Sequence, residues 1–202
     1  MGSSTGRLLV TEDLDLAKIA ALVKRTGKVL SVHAEDEAMI EHGEERSPVD
    51  HLRNRPAAAE VAAIRRLSAL DCRINVCHVS SADGLQALEG LPFTKEVTAH
   101  HMLLDRDSDI GAYGKVNPPL RTKEDRLALF QAFISGRIDM LGSDHAPHAI
   151  EDKEQEFDVA PSGVPGVETT VPMMLALMKK GTLPPEVLVS AMAERPAEVF
   201  GL

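Results

Sequence analysis

Histidines and acids close a series of short apolar runs: Lys28 to His33, Asn75 to His78, Glu96 to His101 and Ile138 to Asp144. Imidazole and carboxylate are ligands that zinc accepts, and a catalytic zinc site keeps one position open for water. A single histidine ending a strand is more often a satisfied core residue, but His33, His78 and Asp144 together make a candidate metal set. Zinc lowers the pKa of a bound water to about 7 and polarises a neighbouring carbonyl. Asp144 is then the natural group to hold that nucleophile and carry its proton to a leaving nitrogen. His148, four residues beyond Asp144 and past a proline, suits an anion contact better than metal ligation, with an ordinary surface histidine as the equal alternative. Asn117 offers both donor and acceptor to a polar substrate, and is otherwise a turn residue.

Other candidates read more plainly. His100 and His101 are adjacent on an expected strand and must face opposite ways, so only one can enter a site. Cys77 neighbours His78 and is expected to face a helix layer as a packing residue. His42 and His51 fall in a charged connection and are expected to be solvated.

Something must position these side chains. Leu16, Ile19, Ala20 and Val23 recur at helical spacing, and Gly27 stops that helix before the run 29–33. Val61, Ile64, Leu67 and Leu70 repeat the pattern before a second strand, Arg73 to Val79. A short helix at 82–88 leads to a third strand, Lys95 to His101. Thr122 with Asp125 forms a capping-box signature for a helix whose Leu127, Phe130 and Ile134 share a face, ahead of a strand at 138–143. Further helices are expected at 167–180 and 185–193. Two long connections, Glu35 to Arg55 and Ala149 to Gly166, interrupt the alternation, and long ordered loops are commonly binding loops.

Alternating strand and helix predicts a parallel sheet with right-handed crossovers, and chemistry loaded at strand ends favours a (β/α)8 barrel. Only four strands are clear, whereas a closed barrel has eight and about 250 residues. The expected fold is therefore a partial (β/α)8 TIM-type barrel, roughly its second half, with residues 1–202 as one partial domain. A 44% hydrophobic content supports a substantial core, and a formal charge of -9 disfavours nucleic acid as a partner. Two cysteines are too few for a disulfide framework, and neither a signal peptide nor an apolar stretch of about 18 residues is present. Cytoplasmic localisation without a membrane partner is the expectation.

The successive motifs resemble those of the dihydroorotases of the amidohydrolase superfamily. They are His-Ala-Glu at 33, Cys-His-Val-Ser-Ser at 77, Thr-Ala-His-His at 98, Val-Asn-Pro-Pro-Leu-Arg at 116, Ser-Asp-His-Ala-Pro-His at 143 and Gly-Val-Glu-Thr at 166. Hydantoinases and allantoinases share the histidine and aspartate ligands, while the second histidine after the aspartate and the Asn-Pro-Pro-Leu-Arg stretch mark dihydroorotases. The resemblance implies reversible interconversion of N-carbamoyl-aspartate and dihydroorotate in de novo pyrimidine biosynthesis, with one or two zinc ions. It implies that His33 and His78 bind one zinc, that Asp144 binds the other and acts as acid and base, and that Asn117 and His148 grip the substrate. It further implies that Ser162 and Gly163 lie along the substrate ring.

The family's first-strand His-x-His-x-Arg and its bridging acidic group, often a carboxylated lysine, have no counterpart here. Met1 to Gly6 resembles the stretch just after that lysine, so the chain is expected to begin inside the barrel, and to end at Arg195 to Leu202 ahead of the family's small β domain. Two alternatives stay open: a noncatalytic dihydroorotase-like partner of aspartate transcarbamoylase, and a hydantoinase-like or allantoinase-like hydrolase. Homo-oligomerisation is open as well.

Overall fold

A computed structural model describes residues 9–202; the expectation placed on Met1 to Gly6 lies outside them. Helix α1 (Asp13–Thr26) has Asp13 and Asp15 in its first turn and Lys24 and Arg25 in its last, the distribution that its dipole favours. Gly27 closes it at φ 67°, a left-handed conformation that lets the chain reverse into strand β1 (Val29–Val32). Strands β2 (Arg73–Val76), β3 (Thr94–Thr98) and β4 (Met140–Gly142) follow, giving a sheet in the order β1-β2-β3-β4. Every neighbouring pair is parallel. Helices α2 (Pro48–Asn54) and α3 (Ala57–Leu67) connect β1 to β2, and α4 (Ala82–Ala87) connects β2 to β3. Helices α5 (Ala99–Leu103) and α6 (Lys123–Ile134) connect β3 to β4. The expected alternation of strand and crossover is present.

The two faces of this sheet differ in chemistry. Ile74, Val76, Val97 and Leu141 point into an apolar layer that they share with Ile64, Leu67, Leu129 and Phe133. Burying each of these large side chains contributes about 1.5–3 kcal/mol. On the opposite face, Ser31 is in register with Asn75, and Asn75 with Thr94. Thr94 Oγ1 donates to Asn75 Oδ1 at 2.9 Å, and Asn75 Nδ2 donates to Glu96 Oε2 at 3.3 Å. Cys77 belongs to this polar face, with Asn75 Nδ2 3.7 Å from its sulfur. That corrects the expectation that Cys77 packs against helices: two residues beyond Asn75, it continues the side of the sheet that Asn75 occupies.

Two further expectations are corrected by local chemistry. Strand β3 ends at Thr98, whose hydroxyl accepts the His101 amide at 3.3 Å and opens α5. His100 and His101 therefore sit on a helix, their ring centroids 4.5 Å apart, and both are buried. In α6 the predicted capping box forms, with Thr122 Oγ1 accepting from Asp125 and Asp125 accepting from Thr122. Its buried face, however, is Leu129, Ala132 and Phe133, while Leu127 is exposed.

Beyond β4 come α7 (Ile150–Lys153), α8 (Val167–Lys179) and α9 (Pro185–Val189), then a π-helical turn at Ser190–Glu194 and α10 (Arg195–Phe200). No helix is long and apolar enough to cross a membrane among the described residues.

Candidate functional site

His33 follows the last residue of β1 and His78 stands two residues past β2, so the parallel pairing of these strands brings both imidazoles to the same end of the sheet. Their nitrogens meet: His33 Nδ1 lies 3.1 Å from His78 Nε2. His33 Nε2 is 2.7 Å from Glu35 Oε2, so the ring donates an N–H there and is held with Nδ1 toward His78. Burial and the neighbouring His33 push His78 down to about 4, which keeps its ring neutral at pH 7. Two ligands about 2.0–2.1 Å from a tetrahedral ion stand roughly 3.3 Å apart, close to the spacing of this pair. The pair thus fits two positions of a metal site, and His78 Nδ1 is buried without a hydrogen-bond partner.

Asp144 reaches the same end of the sheet two residues past β4. Its charge acts on His78 and on Glu96, raising the proton affinity of both. Among the described residues, however, no three His, Cys, Asp or Glu side chains form a metal-ligand cluster. The structure brings His33 and His78 into contact and sets Asp144 nearby without closing a trio. His78 and Asp144 both take left-handed backbone conformations, φ 37° and φ 44°, that non-glycine residues seldom adopt. The chain passes close behind Asp144: a Cβ on Gly166 would lie 2.2 Å from the Ser143 carbonyl oxygen, so only glycine fits.

Beneath the imidazoles is a buried ionic floor that sequence reading missed. Glu35 is fully buried and accepts from His33 and from both Nε and Nη2 of Arg55. Those partners hold its carboxyl well below the usual range against the cost of burial, which opposes them. Arg121 is buried as well, with Nη2 4.0 Å from Glu35 Oε1 and Nε donating to Ser80 Oγ at 3.1 Å. Ser80 in turn donates through its amide to Glu60 Oε1 at 2.7 Å. Glu60 is buried too, and burial raises its pKa. The available signal was Glu35 itself, two residues past a strand-end histidine and hence able to turn to the same side.

The remaining candidates gather under the two long connections. Asn117 and Ser162 line a cavity of about 420 Å³ together with His51, Arg55 and Lys115. His148 is exposed, with Nε2 3.0 Å from the Ser162 carbonyl. Gly163 has φ 127°, and a Cβ there would meet Ala146 Cβ at 2.7 Å. His51 is not solvated as expected. Ser47 caps α2 and Pro48 occupies its first turn, turning His51 inward to 2.9 Å from the Val116 carbonyl. His42 is exposed, as expected. His101 Nε2 holds the Pro118 carbonyl at 3.0 Å, and so supports the Asn117 turn from below.

No family model matches the chain. It is 39% identical to the dihydroorotase of Thermoplasma acidophilum over 203 residues, covering 99% of this chain and 46% of the relative. It is 38% identical to the dihydroorotase of Methanosarcina mazei, covering 100% of this chain and 49% of the relative. Among solved structures it resembles the L-hydantoinase (dihydropyrimidinase) from Arthrobacter aurescens at TM-score 0.89 and 34% identity, over 99% of this chain and 49% of that one. The dihydroorotase from Saccharomyces cerevisiae in complex with 5-fluoroorotic acid shares the fold at TM-score 0.77 and 20% identity, over 95% of this chain and 55% of that one. The chain spans about half the length of the curated relatives it matches. In sequence it aligns with about half of each of these dihydroorotases, and in fold with about half of that hydantoinase.

Proposed function

We propose that the chain carries the second half of the barrel of a dihydroorotase-type cyclic amidohydrolase, which interconverts dihydroorotate and N-carbamoyl-aspartate. The observation that carries this reading is the His33 to His78 contact: two strand-end imidazoles with nitrogens 3.1 Å apart, one of them oriented by Glu35. That spacing is close to the separation of two nitrogen ligands on one tetrahedral ion. In this reading His33 and His78 hold zinc, with Asp144 as the carboxylate beside them.

Zinc, when bound, supplies Lewis acidity toward the amide carbonyl and toward water. Asp144 takes the proton of the attacking water as its oxygen bonds to the ring carbonyl carbon. It returns that proton to the ring nitrogen as the carbon–nitrogen bond breaks, which opens the ring. The reverse sequence closes it. Asn117 orients the substrate through its side-chain amide, His148 meets its carboxylate, and the backbone at Ser162 and Gly163 lies along the ring.

The test is ring opening of dihydroorotate by the purified chain supplied with zinc. Turnover that a chelator removes and Asp144→Asn abolishes supports activity of this chain by itself, although the first-strand ligands that the family carries have no counterpart in it. Silence at high enzyme concentration rejects activity of this chain by itself. In that case, mixing with aspartate transcarbamoylase and measuring the mass of any complex tests the noncatalytic alternative. Comparing hydantoin with dihydroorotate as substrate tests the hydantoinase-like one.

A further inference from the structure

Lysine normally runs its stem along the surface and leaves its ammonium in water. Lys115 and Lys153 do the opposite, both buried with their charged ends turned inward. Lys115 Nζ donates to the Phe157 carbonyl at 2.8 Å, sits 5.2 Å from the centre of the Phe157 ring, and lies 3.4 Å from Glu45 Oε2. Lys153 Nζ donates to the Pro161 carbonyl at 2.8 Å and to the Lys115 carbonyl at 3.3 Å. The Lys115 carbonyl also accepts the Gly163 amide at 2.9 Å. On the other side, Glu45 Oε1 is 2.9 Å from His51 Nδ1, and His51 Nε2 reaches the carbonyl of Val116.

These contacts join three stretches that are far apart in sequence: the connection after β1, the turn carrying Asn117, and the connection after β4. Lys115 touches both long connections, through Glu45 on one side and Phe157 and Gly163 on the other, and the His51 ring, 6.1 Å from that of Phe157 between centroids, lies beside it. Its two chain neighbours on the C-terminal side are Val116, pinned by His51, and Asn117, which faces the cavity. Glu45 is held down to about 2 by His51 and Lys115 despite partial burial, so the carboxylate end of the link stays charged.

We propose that Lys115 is a positioning residue, a buried cation that fastens the two long connections into one unit and thereby sets Asn117 and the 162–163 backbone against the ligand cavity. Its value for catalysis rests on the functional reading above, because only there are Asn117, Ser162 and Gly163 substrate contacts. Fastening of the two connections to each other does not depend on that reading and can be measured without any ligand.

The experiment compares amide hydrogen exchange and the Asn117 side-chain amide resonances in the wild-type chain, Lys115→Met and Lys115→Arg. Losing a hydrogen bond to a charged group in a buried setting predicts exchange about 10- to 100-fold faster in Lys115→Met, at residues 43–54 and 153–163 alike. Helices α3 and α6 keep their protection, the Asn117 resonances move to solvent-exposed positions, and Lys115→Arg restores part of both signals. Faster exchange confined to 153–163, or Asn117 resonances that do not move, overturns the proposal. If Lys115→Met fails to fold, Glu45→Gln probes the same link from the opposite connection under the same two criteria. Neither measurement uses turnover, so a chain inert toward dihydroorotate counts against the proposed function alone.

Discussion

The site has a floor and a roof that are held by opposite means. In the floor, His33 and His78 hang from strand ends, and the groups beneath them, Glu35, Arg55, Arg121 and Glu60, are charges buried against one another. The roof is built from the two long connections and held by side-chain links between them and the Asn117 turn: Lys115 to Glu45 and Phe157, His51 to Val116, Lys153 to Pro161. Strand pairing fixes where the two imidazoles stand, whereas the roof depends on side-chain contacts that reach across long separations in the chain. The comparison indicates where precision resides and where movement is allowed, since ligand-binding loops come from the less stable parts of a fold.

The sharpest way to break this contrast is to remove the floor's central cation. Arg121→Met leaves Glu35 and Glu60 buried beside an apolar stem, and breaking a buried pair from one side costs about 3–5 kcal/mol. Urea unfolding measures it. A loss no larger than that of Lys115→Met erases the distinction between floor and roof. Gly166→Ala comes next. Its new methyl must displace the Ser143 carbonyl, so overpacking of about 1–3 kcal/mol is expected, accompanied, under the proposed function, by reduced activity because Asp144 adjoins Ser143. Unaltered stability and activity would show that the chain behind Asp144 yields freely.

A smaller effect is set by pH. Burial lowers His100 from its ordinary 6.5 to about 4, so between those values the unfolded chain binds a proton that the folded chain does not. Stability therefore falls as pH drops from about 6.5 to 4 and levels off on either side. His78 adds to the same window. Thermal unfolding across this range should show His100→Asn flattening part of the slope, and an unchanged slope would place the titration elsewhere. The smallest expected effect is one of labelling order. Cys77 is pushed up to about 12 by burial and by Glu96, so iodoacetamide should modify the more accessible Cys72 first and reach Cys77 only on unfolding.

The imidazoles of the floor were legible because strand ends announce themselves, while the ionic groups beneath them, Glu35, Arg55, Arg121 and Glu60, were missed. Apolar runs that stop at His33, near His78 and near Asp144 carry both the fold and the chemistry in one pattern. The roof was less so. His51 looked like a solvated histidine in a charged stretch, yet Ser47 and Pro48 are a helix start that turns it inward. His100 and His101 looked like strand residues because Thr98 was counted into the strand that it ends by capping α5. Lys115 gave no signal at all: a lysine before a proline-rich turn is ordinary until Phe157 and Glu45 close over it. Contacts made across long separations in the chain have no local pattern to betray them.

The left-handed residues at His78 and Asp144 have one last implication. Each pays about 1–2 kcal/mol for its backbone sign, and glycine would relieve that burden while deleting the side chain. At half-buried Asp144 a screen for thermostability alone would therefore reward the replacement that removes the proposed acid and base, whereas at buried His78 the lost packing offsets the relief.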